Sequence, residues 1–254
     1  MPLASRPNKE ENVKTLNWYE LPFVGFDCET TSPDPQTARI VQAAIVTHDI
    51  SGQLQEEDRI IHIDPGVPIP PEASAIHGLT IEKLRELGAF KPEHGISYIY
   101  ETLMRRSVKR GYPVVVYNSP YDLPLLLAEC GRLGFKISDL SGLMILDPLV
   151  IDRALDKYRK GSRKLEDTAR FYKVELNGAH GAAADARAAL GVMRALISRY
   201  PALKKETLEK LQVLQVGWYE DWKIHLNQYW DSIGKADRVT GHWPGIVPAM
   251  KGAV

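Results

Sequence analysis

Only two of the 254 residues are cysteine, Cys28 and Cys130. Neither belongs to a CxxC pair, which excludes a disulfide-stapled secreted scaffold and a cysteine-based zinc site. Both thiols read as reduced and packed, in a cytoplasmic protein. No charge is in surplus either: Lys plus Arg and Asp plus Glu number 32 each. No global field therefore draws the chain to a polyanion or a membrane, and any such partner has to be gripped locally. No stretch approaches the roughly 18 continuous apolar residues of a membrane span, and the N-terminal MPLASRPNKEENVK has no apolar core of a signal peptide. Internal repeats and low-complexity tracts are also missing. What remains is an ordinary globular composition, long enough for one large domain or a domain with an appendage.

Against that background one stretch stands out, Phe23 to Thr31, reading FVGFDCETT. Its apolar, aromatic and β-branched start predicts a buried strand. Side chains alternate along a strand, so Asp27 and Glu29 share a face with Phe23 and Gly25 while Cys28 points away. Two carboxylates are thus aimed at one spot at the carboxyl end of a strand, where open α/β sheets place their ligand crevices. Like charges so close are costly without a cation between them. An all-oxygen donor set favours Mg²⁺ or Mn²⁺ over Zn²⁺. A strand that merely runs out into a polar turn would carry the same two residues.

Taken in order, residues 1–20 are polar and read as a flexible N-terminal segment, with the fold starting near Leu21. Ala38 to His48 and Gln53 to Asp64 read as second and third strands joined by the SG turn at 51–52, an antiparallel meander. A proline-rich segment leads to two short helices, the second capped by Thr80. A helix over Ile96 to Lys109 precedes a fourth strand, VVVY at 114–117, and a turn from Asn118 to Asp122. A helix over Leu123 to Leu133, a fifth strand over Leu143 to Asp147 and helical patterns near 148–157, 164–172 and 182–199 follow. Strands first, then strand–helix alternation, predict an α/β fold with a mixed five-stranded sheet flanked by helices. Residues 201–254 form a C-terminal helical extension and tail. In it Leu211, Leu214, Trp218, Trp222, Leu226 and Tyr229 fall on one stripe, Gly217 weakens the helix, and GHWPGIVP reads as an extended or turn-rich end.

Three residues join the first two carboxylates. Asp122 follows the fourth strand, immediately before a helix, where an Asp also makes a good N-cap. Asp185 lies in line with Ala189, Val192 and Leu196, so a carboxylate interrupts an apolar stripe and needs a partner; in the first turn it also complements the helix dipole. His180 stands in the small-residue loop GAHGAAAD, which leaves room for the imidazole to reach a site that Asp185 faces. Alone, a loop histidine is an ordinary solvated residue.

With these five residues in order, the chain resembles the DEDDh family of 3′ to 5′ exonucleases, which includes the epsilon proofreading subunit of bacterial DNA polymerase III, oligoribonuclease and ribonuclease T. Asp27 and Glu29 match the first motif, Asp122 in YNSPYD the second, and His180 with Asp185 the third. IHGLT at 76–80 is similar to the family segment that lines the pocket for the terminal nucleotide. The similarity covers residues 21–200, the expected exonuclease domain. It departs from the family pattern at Tyr117, Ser119 and Ser32, none of them a ligand. The ending GHWP after a Trp-rich helix is similar to actinobacterial and phage branches of the family.

The resemblance implies a ribonuclease H-like fold and a two-metal mechanism in which Mg²⁺ or Mn²⁺ ions clamp the attacking and leaving oxygens. It implies Asp27 bridging both ions, Glu29, Asp122 and Asp185 sharing the remaining positions, and His180 as general base. Its products are nucleoside 5′-monophosphates released from a free 3′ end, preferably of single-stranded DNA. Thr30 and Thr31 would offer backbone donors to the 3′-hydroxyl, Ile76, His77 and Tyr121 would wedge or stack the last base, and Asn118 would contact sugar or phosphate. Core packing is the alternative for Ile76 and Tyr121. Two basic clusters, Arg105, Arg106, Lys109, Arg110 and Lys157, Arg159, Lys160, Arg163, Lys164, are candidate phosphate contacts. An RNA-trimming exonuclease and a nuclease-like binding module stand as alternatives. No membrane partner is expected, and whether a polymerase or other replication protein accompanies the chain is open.

Overall fold

The computed structural model describes residues 16–49, 51–135, 140, 142–176 and 181–246. Five strands, β1 (Phe23–Thr30), β2 (Ile40–His48), β3 (Leu54–His62), β4 (Val114–Val115) and β5 (Ile145–Leu146), lie in the order β3-β2-β1-β4-β5. β1, β2 and β3 are antiparallel, whereas β4 and β5 join parallel to β1. The mixed sheet has the ribonuclease H-like arrangement expected from the sequence. The fourth and fifth strands are shorter than expected. Only two residues of VVVY pair, because the chain turns at Asn118 with φ 67°.

Among the described residues eight α-helices flank the sheet: α1 (Pro71–His77), α2 (Ile81–Glu86), α3 (Pro92–Met104), α4 (Ser119–Arg132), α5 (Pro148–Leu155), α6 (Leu165–Phe171), α7 (Ala182–Arg199) and α8 (Leu208–Ser232). A π-helical turn, Arg105–Lys109, extends α3. Alternation along β1 divides the core in two. Val24, Phe26 and Cys28 pack with α3 and α4, and Phe23 packs with Ala44, Val46 and α7. α7 can lie close because β1 has Gly25 beneath it: a Cβ there would sit 2.8 Å from the Ala186 carbonyl oxygen. The small residues Ala182, Ala183, Ala186 and Ala189 complete that contact.

Residues before Leu21 already belong to the fold. Trp18 stacks on Phe23 with ring centroids 6.2 Å apart, and its Nε1 donates to the Glu206 carbonyl at 2.8 Å. At the other end, α8 is unbroken through Gly217. Its docked face differs somewhat from the expected stripe: Leu211, Gln215 and Tyr219 are buried, Trp218 and Trp222 are half-buried against the core, and Tyr229 is 58 % exposed. The tail is not simply extended. Trp243 is buried, and its Nε1 donates to Asp147 at 3.3 Å. No helix among the described residues is long and apolar enough to cross a membrane.

Candidate active site

β1 carries Asp27 and Glu29 to the carboxyl edge of the sheet, and α7, settled over Gly25, brings Asp185 in its first turn to meet them. Ligand oxygens of these three residues lie within 4.8 Å of one another. Two neighbours of the site fix the start of α7. Gln42, opposite Glu29 on β2, accepts from Ala182 N at 3.1 Å, and its Nε2 meets His62 Nε2 at 2.8 Å. Burial keeps the His62 imidazole below its ordinary pKa, favouring the neutral form. Gln42 was not a candidate from the sequence; only its register opposite Glu29 reveals it.

Asp122 arrives from the other face of the sheet. It lies in the first turn of α4 rather than at the N-cap, because Asn118 takes that position in a left-handed conformation and Ser119 and Pro120 open the helix. Its Oδ1 accepts from Cys28 N at 3.1 Å, so it is clamped to the strand between the two motif carboxylates. Burial raises Asp122 to about 8, against the lowering effect of the Cys28 amide. Asp27 is also held well above the ordinary carboxylate range, first by loss of water and then by the charges of Asp122, Asp185 and Glu29. This crowding of anionic oxygen is the environment that a hard divalent cation relieves, so the donor set fits Mg²⁺ or Mn²⁺ better than a softer metal. His180 lies outside the described residues.

Beside Glu29 opens a cleft of about 410 Å³ that Thr30, Thr31, Ile76, His77 and Tyr121 help to line. Ile76 is 61 % exposed, so core packing does not account for it. α1 presents it and ends at Gly78 with φ 72°, a left-handed turn that a residue with a Cβ rarely adopts. His77 Nδ1 accepts from Leu79 N at 3.1 Å, and burial lowers its pKa. The Tyr121 hydroxyl is 2.6 Å from Thr30 Oγ1 and donates to the Ser32 carbonyl at 2.5 Å, so the ring is fixed at the cleft wall. Burial pushes that phenol up to about 12. The backbone expectation for Thr31 is corrected: its N–H donates to the Arg39 carbonyl at 3.0 Å, and its hydroxyl accepts from Arg39 N at 2.9 Å.

Asn118 lines a separate depression on the other flank, and its N–H donates to Asp147 Oδ1 at 3.1 Å. Asp147 is another residue that sequence reasoning missed. Fully buried, it also accepts from Ser119 N at 2.9 Å and Leu149 N at 3.0 Å, tying α4, α5 and the tail together. Its signal was the Asp-Pro pair at 147–148, an N-cap followed by a proline at the first helical position. Arg106 is a further correction. It is fully buried, donating to the Ile45 carbonyl at 3.1 Å and to Thr47 Oγ1 at 2.8 Å, and cannot hold a phosphate at the surface.

The fold and this acidic edge define a nuclease of the ribonuclease H-like class. Residues 24–193 match the model of the RNase T exonuclease family. The chain belongs to that exonuclease family, of DEDD type. It is 30 % identical over 200 residues to the uncharacterized exonuclease CP81 of Escherichia phage 186, covering 74 % of this chain and 95 % of that one. Among solved structures it resembles E. coli Exonuclease I in complex with a dT13 oligonucleotide, with a TM-score of 0.62 and 20 % identity. A moderately thermophilic Exonuclease I from Methylocaldum szegediense gives 0.60 and 25 %. In both cases the match covers 72 % of this chain but 42 % of Exonuclease I, so the chain spans under half of those neighbours. Membership of the family implies dependence on a divalent metal, and the acidic cluster is present to bind it.

Proposed function

We propose that the chain is a 3′ to 5′ exonuclease that removes nucleoside 5′-monophosphates from single-stranded DNA ends, with residues 21–200 as the catalytic unit. The observation that carries this reading is the convergence of Asp27, Glu29 and Asp185 beside a cleft of nucleotide size. Asp27, Glu29, Asp122 and Asp185 would hold two Mg²⁺ or Mn²⁺ ions. Bound there, such ions supply Lewis-acid stabilisation of charge on the phosphate and lower the pKa of attacking water.

The protein's own groups do the rest. The cleft takes the terminal nucleoside, with Ile76 against the base and the Tyr121 ring closing the wall. Thr30 lies where the sugar end would be. Stacking and wedging contacts of this kind are worth roughly 1–3 kcal/mol per base and tolerate any sequence. Asn118 faces the strand on the other flank. His180, five residues before Asp185 in the sequence, takes the proton from water; a neutral imidazole near working pH suits that role. The oligonucleotide complex of the structural neighbour supports single-stranded DNA as substrate. RNA trimming is the second reading, because the five motif residues do not distinguish a 2′-hydroxyl.

The test is hydrolysis of matched DNA and RNA oligonucleotides, labelled at either end, with Mg²⁺, Mn²⁺ or EDTA. A descending ladder from the 5′-labelled DNA, metal-dependent and faster than from RNA, is expected. Release of a labelled 5′ mononucleotide as the first product would reverse the polarity, and faster RNA hydrolysis would favour the second reading.

A further inference from the structure

α8 builds a groove that the carboxylates do not need. Gln212 Oε1 accepts from Ile145 N at 2.9 Å, and Gln215 Oε1 accepts from Asp147 N at 2.7 Å. Higher numbers on the helix meet higher numbers on β5, so α8 travels in the same direction as the strand. At about 1.5 Å per residue, Trp222 therefore lies roughly 10 Å beyond Gln215, past the carboxyl edge where Asp27 and Glu29 sit. There α8 faces α5 and the segment after it across a groove of about 740 Å³, lined by Arg153, Lys157, Arg159, Arg163, Trp218 and Trp222, among others. A second depression of about 510 Å³ shares Arg153 and Arg163 with the first and extends to Asn118. Asn118 caps the helix that carries Asp122. The two depressions thus adjoin and lead from the start of the helix that carries Asp122 to the aromatic pair.

The charge in this trough is locally positive although the whole chain is balanced. Four cationic side chains line the larger groove against one carboxylate, Asp221. Arg159 and Arg163 share one carboxylate, the buried Asp152, and their other donors meet neutral oxygens such as the Thr168 hydroxyl and the Asp156 carbonyl. The Arg153 guanidinium lies 3.8 Å from the centre of the Trp222 ring. Cations at intervals beside half-buried indoles match the two demands of a single strand, phosphate neutralisation and base stacking.

We propose that this trough holds the part of a single-stranded nucleic acid lying several nucleotides 5′ of the end seated at the carboxylates, so that the C-terminal helix imposes a length preference. The proposal rests on the nuclease reading above, and binding separates the two. Fluorescence anisotropy with 5′-labelled dT4 and dT16, in Ca²⁺ in place of Mg²⁺, gives Kd for each length. The wild type should bind dT16 at least about tenfold more tightly than dT4. Lys157→Glu should reduce that ratio to within about twofold, and Lys157→Arg should restore it. Trp222→Ala should give the same loss, with its melting temperature read alongside because the ring also packs on the core. Equal affinities in the wild type, or a ratio that survives Lys157→Glu, would overturn the proposal and leave the groove to another acidic occupant, such as a peptide. Absence of hydrolysis by the wild type in Mg²⁺ and Mn²⁺ would count against the nuclease reading, and the binding ratio would still decide the trough.

Discussion

α7 reaches the sheet through what its contact surface leaves out. Alanines face it, Gly25 lies beneath it, and the two backbones come together closely enough to deliver Asp185 to Asp27 and Glu29. α8 reaches the same sheet through polar side chains, with Gln212 and Gln215 bonding the edge of β5 and aromatic rings filling the space around them. The first contact has no slack and sets the geometry of a reactive site. The second is wider, leaves a groove, and could be loosened without moving a carboxylate. Helix docking thus serves chemistry in one place and reach in the other.

That contrast can be broken at several points. The largest effect is expected from Gly25→Ala, whose Cβ would meet the Ala186 carbonyl at 2.8 Å and Val46 Cγ2 at 2.9 Å. Overpacking against backbone should cost about 3 kcal/mol or more, and by lifting α7 it should also weaken Mn²⁺ binding measured by calorimetry. Gln215→Ala should cost about 2–3 kcal/mol in thermal or urea unfolding, because Asp147 N–H and the Ile145 carbonyl lose buried partners at 2.7 and 3.0 Å. Its Mn²⁺ affinity should stay within about twofold of wild type. Were Gln215→Ala to weaken metal binding as much as Gly25→Ala does, the two dockings would not be separable.

A smaller effect concerns pH. The folded-state pKa of Asp122 lies at about 8, above an unfolded value near 3.8. Between those values the folded protein binds more protons than the unfolded chain, so stability falls as pH rises through that window; below it both states are protonated and nothing is lost. Asp122→Asn keeps an acceptor for Cys28 N and removes the penalty. At about 1.4 kcal/mol per unit of displacement, the metal-free variant should gain at least about 1–2 kcal/mol at pH 8, roughly 4 °C or more, and little at pH 4. A gain equal at both pH values would assign the effect to packing instead. Tyr229→Ala should change the melting temperature least, within about 0.5 kcal/mol, since the ring is 58 % exposed at the far end of α8.

How far the sequence reveals this division depends on the range of the interactions. Alternation along FVGFDCETT places Asp27 and Glu29 on one face correctly, and the 3.6-residue period places Asp185 on the buried side of α7. Those are local rules. Asp122 is one turn off its expected role because a single left-handed residue, Asn118, starts α4 early. VVVY reads as four strand residues, yet only Val114 and Val115 pair as strand, since the chain turns away at Asn118. Arg106 looks like part of a basic face because nothing local shows that Ile45 and Thr47 surround it. Gln42, Asp147 and Gln215 are polar residues whose roles come from distant backbone, and the stripe on α8 is drawn from apolar residues, which hides the buried glutamine at its centre. The proline and glycines of the tail signal turns, whereas the burial of Trp243 depends on distant groups such as Asp147.

If the three converging carboxylates are the seat of metal-dependent hydrolysis, neutralising one of them abolishes it. The most direct measurement compares wild type and Asp27→Asn, purified in parallel, on a 5′-labelled single-stranded DNA with Mn²⁺, with circular dichroism confirming an unchanged fold. Wild type should give a 3′ to 5′ ladder, and the variant should lose at least about 10³-fold in rate, with a melting temperature equal or higher in the absence of metal. Hydrolysis by folded Asp27→Asn at a rate near that of wild type would contradict that assignment.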